Sequence, residues 1–184
     1  MLWTLSKLIR RLVLLFTVGL AFAQPAADRP APAVWAPLEF LLGEWIGDGG
    51  GAPGQGAGGF SFHPDLQQKI LVRKNHAEYP AAKDRAAFRH DDLTIVYQQP
   101  GTDRLRAVYF DNEGHVIEYA VEVSGDRSAV QFLSEPAASS PRYRLTYRRT
   151  GDEMVAIKFE ISPPGKPDSF STYIEASARR KPSP

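Results

Sequence analysis

The chain contains four histidines, His63, His76, His90 and His115, and no cysteine. Imidazole is the side chain best placed to exchange protons near neutral pH and a common ligand for transition metals. On a strand, neighbours on one face are two residues apart, so a metal site would be expected to use His-x-His. That pattern is absent, and its nearest approaches are His63-Pro64-Asp65 and His90-Asp91-Asp92. His90 and His115 stand at the starts of expected strands beside acidic residues, where a solvated or turn-capping imidazole is the expectation. Asp111-Asn112-Glu113-Gly114 has the residue types of a calcium loop but is far shorter than the roughly twelve residues such a loop needs. Gly-x-Ser-x-Gly does not occur, so no serine has a nucleophile context. Without cysteine there is no thiol nucleophile, thiolate metal site or disulfide scaffold.

Gly-x-Gly-x-x-Gly occurs twice, at Gly49, Gly51 and Gly54 and again at Gly54, Gly56 and Gly59. A dinucleotide site of this type needs a strand before the glycines and a helix after them. A strand is expected on the far side here, so the stretch reads as a hairpin loop at a pocket mouth.

The residues that remain as candidates are aromatic and polar ones placed by alternation. Ile117, Tyr119 and Val121 alternate with Glu118 and Glu122, and Tyr143, Leu145 and Tyr147 alternate with Arg142, Arg144 and Arg148. Val155, Ile157, Phe159 and Ile161 alternate with Lys158 and Glu160, Ala107 and Tyr109 with Arg106, and Phe132 with Gln131. In each case the first set should face a common interior. The candidate ligand-binding residues are Arg73, Asn75, Tyr109, Tyr119, Phe132, Tyr143, Tyr147 and Tyr173. Ile70, Val72 and Lys74 leave the facing of the strand that carries Arg73 and Asn75 open. Such a lining suits a ligand with an apolar body and a few hydrogen-bonding groups. The competing expectation is a solid core in which the tyrosines reach the barrel ends.

The elements that must hold these residues are short and regular. Trp35, Leu38, Leu41 and Leu42 recur at helical spacing, predicting a short helix or 3₁₀ turn able to plug one barrel end. Period-2 segments follow at Glu44–Asp48, Gly59–His63, Lys69–Tyr79, Asp92–Gln98, Leu105–Asp111, His115–Val123, Ala129–Ser134, Arg142–Arg149, Met154–Ile161 and Ser169–Ala178. Turns such as Pro100-Gly101, Ser124-Gly125-Asp126, Thr150-Gly151-Asp152 and Pro163-Pro164-Gly165 predict antiparallel hairpins between them. A meander this long leaves two exposed edges unless it closes, which favours an all-β, single antiparallel barrel of roughly ten strands. Closure would bring Gly43-Glu44-Trp45 on the first strand beside Arg179-Arg180 on the last. The indole would then lie flat under a guanidinium, a contact worth roughly 0.5–2 kcal/mol.

At the N-terminus, Lys7, Arg10 and Arg11 precede an apolar run from Leu12 to Phe22 that ends in Ala21-Phe22-Ala23. Charge, apolar run and small-residue site together read as an export signal over residues 1–23, and the run is shorter than the roughly 20 residues a membrane anchor needs. A Pro- and Ala-rich linker, residues 24–34, would lead into one domain over residues 35–184. Export implies a periplasmic or secreted protein with no stable membrane insertion after cleavage. The chain has 22 basic and 21 acidic residues, and the signal contributes three basic ones, leaving the remainder at −2. Nucleic-acid binding, which rests on clustered positive charge, has no support in that balance.

Leu38-Glu39-Phe40-Leu41-Leu42-Gly43-Glu44-Trp45-Ile46-Gly47-Asp48, followed by the Gly-rich loop and Phe60-x-Phe62, resembles the start of nitrobindin-type and other lipocalin-like barrels. Arg89-His90-Asp91-Asp92-Leu93 and Tyr109-Phe110-Asp111-Asn112-Glu113-Gly114-His115 resemble a bacterial exported family of lipocalin-like proteins without established chemistry. The nitrobindin resemblance implies haem only where a proximal histidine lies on the final strand. Here Tyr173-Ile174-Glu175-Ala176-Ser177 has none, and Tyr173 is the oxygen ligand that would stand in. No cofactor is therefore expected. The reading is an exported lipocalin-like barrel that binds a small apolar or amphipathic molecule. The alternatives are an isomerase- or hydrolase-type enzyme using the same cavity, a haem-binding nitrobindin-like protein, and a filled interaction module.

Overall fold

The computed structural model describes residues 33–48, 57–83 and 86–182. The expected signal, most of the linker and most of the Gly-rich loop lie outside those residues. A 3₁₀ helix, Ala33–Leu41, precedes ten strands: β1 (Gly43–Asp48), β2 (Ala57–Asp65), β3 (Ile70–Tyr79), β4 (Phe88–Gln98), β5 (Leu105–Asp111), β6 (Val116–Val123), β7 (Ala129–Ser134), β8 (Arg142–Gly151), β9 (Met154–Ser162) and β10 (Ser171–Arg180). All neighbours are antiparallel, and β10 pairs back onto β1 to close the barrel.

Closure is sealed where the sequence placed it. Trp45 and Arg180 are direct partners across β1 and β10, and the Arg180 guanidinium lies 4.5 Å from the Trp45 ring centroid. Arg180 also donates Nη2 to the Phe40 carbonyl at 3.0 Å and Nη1 to the Leu42 carbonyl, so one side chain caps the end of the 3₁₀ helix while stacking on the indole. Gly43 permits this approach: its φ is +102°, and a Cβ there would stand 3.1 Å from Arg180 Nη1. The opposite face of Trp45 stacks on Phe60 at 5.8 Å, and its Nε1 donates to the Leu41 carbonyl at 2.9 Å. Burying such an indole removes roughly 150–250 Å² from water, worth about 4–6 kcal/mol.

The 3₁₀ helix plugs one end. Trp35, Leu38 and Leu41 are fully buried, Phe40 packs under Arg149, and Trp35 Nε1 donates to the Gln68 carbonyl at 2.9 Å. That last bond secures the β2–β3 turn, where Leu66, Gln67 and Gln68 all have positive φ. For residues with a Cβ this conformation costs about 1–2 kcal/mol each, so the turn needs its external anchor.

Most strand bounds match their expected ones to within two or three residues. The large difference is β4, which begins at Phe88 rather than Asp92. Its polar start, Arg89-His90-Asp91-Asp92, hides the alternation from a reading based on apolar residues. Because β4 starts early, His90 is a strand residue paired with Ala77, not a turn cap.

Candidate functional site

The barrel is packed in its plugged half and open in the other. Phe60, Phe62, Phe132 and Tyr147 meet across the interior at centroid distances of 5.4–6.1 Å, mostly edge to face. Above this layer lies a cavity of about 490 Å³, within the roughly 300–1,000 Å³ of small-molecule sites.

Its two walls differ in chemistry. Tyr143, Leu145, Ile157, Phe159, Ile161 and Ile174 from β8–β10 make an apolar wall. There Tyr143 stacks on Phe159 at 5.9 Å and 7°, and Tyr173 meets Phe159 edge-on. The facing wall, from β3–β5, carries Arg73, Asn75, His90, Asp92, Tyr109 and Asp111.

Strand register assembles the polar wall. Phe62, Arg73, Thr94, Tyr109 and Ile117 are successive partners from β2 to β6 and therefore share the inner face. Phe60, Asn75, Asp92 and Asp111 form the next row. Because barrel strands tilt, such rows climb from the packed half toward the open rim.

The polar residues form one chain of hydrogen bonds. Asp92 receives Arg73 Nη1 on Oδ1 and Asn75 Nδ2 on Oδ2 at 2.9 Å. His90 Nε2 lies 3.1 Å from the Tyr109 hydroxyl and 3.5 Å from Asp92 Oδ2, while Nδ1 lies 2.8 Å from Glu113 Oε1. Tyr109 donates to Asp111 Oδ2 at 3.1 Å, and the same oxygen is 2.8 Å from His115 Nδ1.

These directions fix protons. Since Tyr109 gives its hydrogen to Asp111, its oxygen must accept from His90 Nε2, and Nδ1 can only donate to the Glu113 carboxylate. His90 is thus an imidazolium, consistent with a pKa raised to about 9, chiefly by Asp92 with Glu113 adding and burial opposing. Burial alone would raise Asp92, but Arg73 and His90 outweigh it and hold its carboxyl below the usual range. Burial pushes the Tyr109 and Tyr119 phenols up, and Tyr147 up to about 12.

Arg73 sits at the cavity floor, 5.6 Å from the Phe60 ring and 5.8 Å from the Tyr147 ring. It is 6% exposed. The Tyr147 hydroxyl lies close enough to interact with the guanidinium, yet neither that hydroxyl nor Arg73 Nε completes a well-formed hydrogen bond.

Of the residues expected to line the interior, Arg73, Asn75, Tyr109, Tyr119, Tyr143 and Tyr173 border the cavity. Phe132 and Tyr147 do not. They are 1% and 0% exposed and form the packed layer beneath it. Tyr173 stands at the rim beside a register shift in β10 and is 60% exposed. Its exposed phenol does not fit axial ligation of a haem iron enclosed in the cavity. His90, with both nitrogens engaged by Glu113 and Tyr109, does not fit that role either. Among the described residues no group of three His, Cys, Asp or Glu side chains is arranged to hold a metal ion.

Sequence reasoning missed His90, Asp92, Asp111 and Glu113 as cavity residues. The available signal was the parity Phe88, His90, Asp92, Thr94, Val96, which continues the inward face of β4 to the rim.

Gly58 and Gly59 draw β1, β2 and β3 together beside this site. A Cβ on Gly58 would stand 2.1 Å from the His76 carbonyl oxygen, and one on Gly59 would stand 2.2 Å from that of Trp45. In comparisons with known proteins, no family model matches this chain and no curated protein matches it significantly.

Proposed function

We propose that this protein is an exported, lipocalin-like barrel that binds a small amphipathic molecule in its open half. The observation that carries the reading is the cavity of about 490 Å³ with an aromatic–aliphatic wall opposite a wall of half-buried, hydrogen-bonded polar groups around the buried Arg73. An apolar body would cover Ile157, Phe159 and Ile161 while a polar head meets the Arg73–Asp92 region. The N-terminal sequence supports export.

The juxtaposition of His90 and Tyr109 also supports a second reading, acid–base catalysis in the same cavity. Protonation argues against it. A general base works best with a pKa near the operating pH, whereas His90 is raised to about 9 and the neighbouring Asp92 is lowered. The cluster is a fixed electrostatic frame at pH 7, better suited to orienting a ligand than to moving protons.

The test is titration with a neutral apolar fluorescent probe. One equivalent should bind, Tyr143→Ala should change its affinity by about threefold or more, and the outward-facing Arg148→Ala should leave it unchanged. Absence of saturable binding by the folded wild type would refute the reading.

A further inference from the structure

We infer that the polar head of the ligand is an uncharged hydrogen-bond acceptor, the carbonyl oxygen of an ester, amide or ketone, received by the guanidinium of Arg73. This rests on the cavity being a binding site and goes further by naming the head group.

The first ground is an imbalance of donors. A guanidinium has five N–H groups and no acceptor. The well-formed hydrogen bond of Arg73 among the described residues runs from Nη1 to Asp92, and Nε has no partner although the residue is 6% exposed. Buried N–H groups left unpaired are costly; Nε is closed off by the protein, and a ligand acceptor in the cavity would meet the terminal N–H groups that Asp92 does not take.

The second ground is that nearby acceptors are already engaged. Both oxygens of Asp92 face internal donors, Arg73 on one side and Asn75 and His90 on the other. Asp111 takes Tyr109 and His115 Nδ1 on Oδ2, and the backbone N–H groups of Glu113 and His115 on Oδ1. A ligand amine would compete with these donors at Asp92 and Asp111 and would find an open carboxylate oxygen only at the exposed Glu113, whereas a carbonyl would complete Arg73 without disturbing them.

The third ground is charge. Around the head position, Arg73 is matched by Asp92 and His90 by Glu113, while Asp111 is hydrogen-bonded to His115. An anionic head would find no unmatched cation and would lie beside Asp92, a repulsion that burial strengthens. A neutral oxygen avoids the repulsion and keeps the hydrogen bond.

The experiment is competition against the neutral probe at pH 7 with three ligands sharing one apolar body: methyl decanoate, decanoic acid and decylamine. The ester should displace the probe about tenfold more tightly than the acid or the amine. Arg73→Lys keeps a cation beside Asp92 but replaces the planar fork with one ammonium, so the ester's advantage over the acid should fall to about threefold or less. Asp92→Asn removes the carboxylate that balances Arg73, and the acid should then match or exceed the ester. Thermal unfolding identifies variants that fold, and the wild-type order decides if one does not. An acid or amine bound as tightly as the ester by wild type would overturn the inference while leaving the cavity a binding site. Unchanged selectivity in two folded variants would do the same. Failure of all ligands and of the probe to bind would overturn the binding reading itself.

Discussion

The two halves of this barrel are built from the same ten strands and the same alternation, yet one is solid and the other hollow. In the plugged half, Trp45, Phe60, Phe62, Phe132 and Tyr147 come from strands on opposite sides and reach each other at the centre. The 3₁₀ helix then covers them. In the open half the β8–β10 side chains are large but apolar, while the polar ones of β3–β5 are held against their own wall by hydrogen bonds to one another. Polar side chains tied laterally cannot extend to fill the middle, and space remains. The difference shows that residue size alone does not decide whether a barrel is filled; the partners that polar side chains find also decide it.

That contrast predicts unequal effects for the same kind of truncation in the two halves. Trp45→Ala should be the most damaging change, lowering stability by about 3–5 kcal/mol in urea denaturation. It removes the Arg180 stack, the Phe60 stack and the Leu41 hydrogen bond together. A loss below about 1 kcal/mol would mean that the plugged half is not close-packed.

The polar wall is probed by pH. The folded pKa of His90 is raised to about 9 from its ordinary value of 6.5. Its contribution is therefore fully present below pH 6.5 and is lost as pH rises through about 9. Wild-type stability should fall over that window by roughly 2–3 kcal/mol. His90→Gln, which cannot form the charged contacts with Asp92 and Glu113, should flatten that part of the profile. A wild-type profile level from pH 6.5 to 9 would show that the imidazolium contributes nothing.

The smallest effect is expected on the apolar wall. Phe159→Ala enlarges a space that is already open, so it should cost only about 1–2 kcal/mol, below the usual range for truncating a buried aromatic. It should also shift the preference of the cavity toward bulkier apolar ligands in the probe assay. A loss equal to that of Trp45→Ala would erase the distinction between the halves.

Much of the frame was legible because it depends on local rules. Turn residues and period-2 alternation located ten strands, and Trp45 with a C-terminal arginine pointed to the seam; the stacking partner is Arg180, with Arg179 opposite Ile46. The inward sets on β6, β8 and β9 follow directly from alternation: Tyr119, Leu145 and Phe159 face the interior as expected. The site was less legible. Alternation says that Phe132 and Tyr147 point inward, but not that they lie below the cavity rather than beside it. That distinction depends on how far along the barrel axis each falls, which strand tilt and register set together. His90 was hidden for a related reason, since a polar strand start looks like a turn until its partner strand is known.

The sequence alone determined which residues alternate, where the chain turns, and that an indole and a guanidinium stand at the two ends of the meander. These are short-range properties, carried by φ preferences and side-chain parity within a few residues. Only the tertiary structure decided that Asp92 would meet Arg73, 19 positions earlier, and that His90 would lie between Tyr109 and Glu113, 19 and 23 positions later. Those encounters depend on the registers of the β3–β4 and β4–β5 hairpins at once, and a slip of one residue in either would turn a polar partner from the interior to solvent.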